Sequence, residues 1–169
     1  MDKPARSTGD IDNRHPPPQL QLLVTLARQK GADDALLLPA AGLVVREELA
    51  RLCGPDRPCP GYGLAPGCPP HAMQPAAFRE LVKRCTWMLT FKINAPMQVL
   101  LGLERRSIAR QVHCISAELE EAVERQCRYP AHAYASGSCK DLFCPNEAAC
   151  VVLARQEPWP HVDRARPCL

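Results

Sequence analysis

The stretch "MQPAAFRELVKRCTWMLTFKI", residues 73–93, carries two hydrophobic periods in succession, and the change from one to the other decides the fold class. Pro75 suits the first position of a helix, where its missing N–H would have no partner anyway. Ala77, Phe78, Leu81, Val82 and Cys85 then fall on one helical face. At "WMLTFKI" the pattern becomes that of a strand, rich in aromatic and β-prone residues. A helix here feeds a strand.

The flanking segments extend the same mixture. Upstream, "QLQLLVTLARQKGA" (19–32) places Leu20, Leu23, Val24 and Ala27 on an apolar helical stripe that ends at Gly31, a C-terminal cap. "ALLLPAAGLVV" (35–45) reads as a buried strand leaving through a turn at Pro39, and "REELARLCG" (46–54) as a helical turn that delivers Cys53. Downstream, Ile108, Val112, Ile115, Leu119, Ala122 and Gln126 recur at steps of three and four through a long helix between Leu103 and Cys127, whose remaining face is charged and expected to meet water. "AHAYASG" (131–137) offers a further short strand. These elements predict an α+β domain with a small mixed sheet of two or three strands, about three helices and two cysteine-rich loops. Residues 1–18, polar and ending in three prolines, are expected to be a disordered leader, with residues 19–169 forming a single domain.

Composition narrows the chemistry. Lysine plus arginine exceed aspartate plus glutamate by only three, so charge points to no nucleic acid. No segment has the apolar length of a membrane span, and the N-terminus has no apolar signal region. A cytoplasmic location is the expectation. There the ten cysteines read as metal ligands or catalytic thiols rather than a disulfide framework.

Six of them form two groups: Cys53, Cys59 and Cys68 in a C-x5-C-x8-C spacing, and Cys139, Cys144 and Cys150 in C-x4-C-x5-C. Structural zinc favours pairs two to four residues apart, a spacing met only by Cys139 with Cys144. An iron-sulfur cluster is larger, gathers thiolates from wider spacings, and often has a cysteine followed by proline. Cys59-Pro60, Cys68-Pro69 and Cys144-Pro145 repeat that feature. Each proline holds the preceding cysteine in extended geometry, while Gly54, Gly61, Gly63 and Gly67 allow tight turns and leave backbone N–H groups to approach sulfur. Tyr62 and Phe143, beside the ligand candidates, read as shields against water. Cys168, His71 and His161 are the candidates for a fourth ligand. Cys85, Cys114 and Cys127 read as small buried hydrophobes, and His15, His113 and His132 have no context favouring coordination.

"CGPDRPCPGYGLAPGCPP" (53–70), "GSCKDLFCPNEAAC" (137–150) and Ala165-Arg166-Pro167 together resemble the predicted metal-binding proteins classed as domain of unknown function 2284. Cys53, Cys59, Tyr62, Gly63, Cys68, Pro69 and Pro70 match the first part of that pattern, and Gly137, Cys139, Cys144 and Cys150 the second. Trp159 stands where the family has its last cysteine, and Cys168 where serine is usual. The resemblance implies metal binding, most plausibly an iron-sulfur cluster of the 4Fe-4S kind, with zinc as the alternative cofactor, and brings no settled reaction.

Three functions follow as expectations. The first is a cytosolic protein with one or two iron-sulfur clusters that exchanges electrons with a protein redox partner. The second is a zinc-stabilised interaction domain clamped by Cys139, Cys144 and Cys150 with Cys168 or His161. The third is an enzyme using a cluster with an open iron position, although no paired acid and base marks a catalytic centre.

Overall fold

A computed structural model describes residues 15–54, 59–127 and 130–155. The helices in chain order are α1 (Pro18–Gln29), α2 (Glu47–Arg51), α3 (Pro75–Arg84), α4 (Met97–Leu101), α5 (Arg105–Ala122), α6 (Cys139–Phe143) and α7 (Val151–Arg155). Strand β1 (Asp34–Pro39) pairs antiparallel with β2 (Trp87–Lys92), Leu36 opposite Thr90 and Leu37 opposite Leu89. The domain is therefore α+β, with two strands and three helices of more than five residues among the described residues. Pro18, assigned to the leader, instead opens α1 at a position where proline lacks nothing a helix needs.

A two-stranded sheet is marginal alone and needs a helix against it. Here α1 and α5 cover one face, and Leu20, Leu23 and Ala27 of α1 meet Ile115, Leu119 and Ala122 of α5 and Ala35 of β1. Leu37, Trp87, Leu89 and Phe91 line the inner face of the strands. Among the described residues no element covers the opposite face, and Leu36 is 51% and Leu38 39% exposed. The expectation of a buried β1 is thus corrected: a single covered face makes the strand alternate.

The end of α1 follows the sequence closely. The Gly31 amide donates to the Arg28 carbonyl and the Ala32 amide to the Ala27 carbonyl, the paired bonds of a glycine-terminated helix. Gly31 has φ +102, and a Cβ there would run into the Gln111 side chain of α5. Gly31→Ala is therefore expected to lose about 1–2 kcal/mol of stability, measured by chemical denaturation, through left-handed backbone strain and displacement of Gln111.

Four other expectations are corrected. Ala77 is exposed, while Leu81 carries the burial of α3. Gln126 is exposed because Val123–Cys127 winds as a π-helix, which rotates the stripe of α5 away from its earlier face. "AHAYASG" forms no strand: the Ala133 amide donates to the Glu120 carboxylate at 3.1 Å instead of to a neighbouring strand. Glu120, His113 and Ser116 are buried, so the second face of α5 is not given over to water. Among the described residues, no helix is long and apolar enough to cross a membrane.

Candidate metal centre

The first cysteine loop lies between β1 and β2 and is built from successive turns. Tyr62 donates its amide to the Cys59 carbonyl at 2.9 Å, Leu64 to Gly61 at 3.1 Å, and Cys68 to Ala65 at 2.9 Å. Gly63, with φ +74, donates to the Pro69 carbonyl at 2.7 Å and closes the loop on itself. The expectation that every glycine leaves its amide to a sulfur is corrected here, since Gly63 and Gly54 use theirs inside turns. The Pro69–Pro70 peptide is cis.

Cys59 and Cys68 lie within electrostatic reach of each other and of Cys53. Cys53 and Cys59 are in side-chain hydrogen-bond contact, and burial, followed by the Cys59 charge, raises the Cys53 thiol above its ordinary value. Burial is also the main cause that raises Cys68, with Cys59, Cys53 and Asp141 adding repulsion. Cys68 is buried, and Cys53 and Cys59 are half-buried. Each thiolate raises the cost of the next, which is the electrostatic situation a bound cation reverses.

The second loop abuts the first. A Cβ on Gly61 would stand 3.0 Å from Ser138 Cβ and 3.3 Å from Cys68 Sγ, so only glycine fits without displacement. Ser138 Oγ is buried and lacks well-formed hydrogen-bond geometry, yet lies near enough to Cys68 to favour its thiolate. Ser138 leads into α6, where Cys139 stands first and Cys144 follows the last turn, its amide donating to the Lys140 carbonyl at 3.0 Å. Cys150 is buried at the start of α7.

Phe143 joins two elements. Its ring lies 5.8 Å from that of His113 and under the Arg110 guanidinium at 5.0 Å, which fastens the second loop to α5. Arg106, Ser107 and Arg110 face Asp141, Leu142 and Pro145 across an open cavity of about 240 Å³. Tyr62 is half-buried within the first loop.

His71 is exposed, and its bond to the loop is a backbone one, its amide donating to the Cys68 carbonyl at 3.0 Å. Cys168, His161, Trp159 and the Ala165-Arg166-Pro167 segment lie outside the described residues. Among the described residues, no three Cys, His, Asp or Glu side chains stand close enough to close on a single ion. Cys127 packs against the hydrophobic core as expected. Cys114 does not follow its reading as a buried free thiol: it is half-buried and disulfide-bonded.

Sequence reasoning missed the contributions of Ser138, Lys140 and Asp141. Their proximity to the motif cysteines was visible, but the inward placement of Ser138 and Lys140, and the nearness of the exposed Asp141 to Cys68, depend on how the two loops meet. The soft donors, glycine cradle and mutual thiol repulsion fit a thiophilic metal.

Two stiff cysteine loops joined on an α+β scaffold define a cysteine-rich metal-binding protein in class. The chain belongs to the family described as "Predicted metal-binding protein (DUF2284)", which matches residues 37–169. No curated protein and no solved structure matches it significantly.

Proposed function

We propose that this metal-binding chain carries one or two iron-sulfur clusters on its cysteine loops and exchanges electrons with a protein partner in the cytoplasm. Cys53, Cys59 and Cys68 lie within electrostatic reach of one another on a turn-rich loop, which supports the reading, and metal would draw the thiols the rest of the way together. A bound cluster supplies one-electron storage. Cys53, Cys59 and Cys68 would hold it in the first loop, and Cys139, Cys144 and Cys150 in the second. Turn hydrogen bonds within residues 59–72 fix the thiol backbones before metal arrives, so less ordering cost falls on binding. Burial of Cys68 and the half-burial of Tyr62 limit water at the sulfurs.

The test is anaerobic reconstitution followed by iron and acid-labile sulfide analysis and EPR of the reduced protein. Iron and sulfide in near-equal amounts, with a cluster signal after reduction, are expected. Stoichiometric zinc without sulfide would instead identify the redox-silent interaction domain.

A further inference from the structure

Arg106, Ser107 and Arg110 project from one side of α5 and stand across a cavity of about 240 Å³ from Asp141, Leu142 and Pro145. The two arginines are a helical turn apart and repel each other, a cost that an anion between them offsets. Arg110 lies over the Phe143 ring at 5.0 Å, so its guanidinium is in place before any ligand arrives. The opposite wall carries the opposite charge. Lys140, next to Asp141, turns inward and donates from Nζ to the Cys144 and Glu147 carbonyls at 2.5 and 2.6 Å, while Asp141 stays exposed at the cavity. Among the described residues neither Arg106 nor Asp141 takes part in an ion pair, although both face the same space. Opposite charges that share a cleft without meeting leave room for a ligand that carries both.

We propose that this cleft binds a small α-amino acid, its carboxylate held by Arg106, Arg110 and Ser107, its ammonium by Asp141, and its side chain by Leu142 and Pro145. A guanidinium suits a carboxylate because two N–H donors match its two oxygens. Ser107 adds a hydroxyl donor on the same wall. Asp141 repels simple anions and the arginines repel simple amines, so selectivity comes from the combination. Size limits the guest as well. The volume lies below the roughly 300–1,000 Å³ of pockets for drug-sized molecules, and Leu142 and Pro145 offer apolar surface to a short side chain. No thiol and no metal takes part, so the site stands or falls apart from the iron-sulfur reading.

The probe is L-valine, titrated into the purified full-length chain by isothermal calorimetry beside two analogues that each lack one charge. 3-Methylbutanoate is valine without its ammonium, and 2-methylpropylamine is valine without its carboxylate. Valine is expected to bind with a Kd at or below about 1 mM, and each analogue roughly 10- to 100-fold more weakly. Arg106→Gln should weaken valine by a similar factor. Asp141→Asn should weaken valine yet strengthen 3-methylbutanoate, because it removes a repulsion along with the partner of the ammonium. Arg105→Gln, at an exposed neighbour outside the cavity, should bind valine like wild type. All three variants change exposed side chains, so thermal midpoints close to that of wild type are expected. Failure of valine to bind, binding of 3-methylbutanoate as tight as that of valine, or wild-type affinity in Arg106→Gln or Asp141→Asn would each overturn the proposal.

Discussion

Cys68→Ala is expected to bind metal about a hundredfold more weakly than the wild-type chain. Structural zinc held by four ligands contributes about 10–16 kcal/mol, so the loss of one thiolate removes roughly 3 kcal/mol. Cys68 is the deepest thiol of its loop and the one that senses Cys53, Cys59 and Asp141 together. Its removal therefore acts on the centre rather than on one margin of it. Cys85 lies outside both motifs and is half-buried. Cys85→Ala is the matched control and should keep full loading. Metal content per chain and chelator competition measure both variants, and full loading of Cys68→Ala would remove the first loop from the metal centre.

The second large effect falls on the fold. Ile115 is 2% exposed and joins α1, α5 and the sheet in one cluster. Its neighbours Ala27, Ala32 and Ala35 are small, so few side chains can move in to fill a cavity beneath it. Ile115→Ala should cost about 3 kcal/mol, a large share of the roughly 5–15 kcal/mol that ordinarily separates folded from unfolded chains. For a chain of this size the thermal midpoint should fall by about 6–12 °C. Leu101→Ala, at a 74% exposed position, should change stability by less than about 0.5 kcal/mol. Equal midpoints for Ile115→Ala and wild type would mean that the core is centred elsewhere.

Local patterns made much of this architecture legible. Pro75 starts α3, Gly31 ends α1, and the period change after Cys85 marks β2, because each depends on backbone chemistry within a few residues. Tertiary partners decided the rest. Leu36 and Leu38 are as apolar as Leu37, and only the absence of a second covering layer on the described sheet leaves them exposed. Gln126 leaves the stripe because of a wide helical turn with no distinctive residue, and Ala133 follows a carboxylate on α5 rather than its own strand-like pattern.

The metal centre divides in the same way. The candidate thiols of the two loops could be singled out from spacing and the prolines that follow them, since those constraints are local. The contact of Gly61 with Ser138 joins residues far apart in the chain, and the inward course of Lys140 depends on the turn that closes over it. Neither has a periodic signal. The histidine at position 71, beside the Cys-Pro-Pro motif, is exposed and tied to the loop through its backbone amide.

The antiparallel pairing of β1 and β2 has a consequence for assembly. These strands flank the first cysteine loop, so a metal bound across Cys53–Cys68 would short-circuit part of the chain that must close when they meet. Loop-closure entropy grows only logarithmically with length, and shortening that span by about a third contributes merely roughly 0.3–0.4 kcal/mol. The sheet and its helices are therefore a standing frame, able to form ahead of the metal and to outlast its removal. Loading would then act on a chain whose core is already packed.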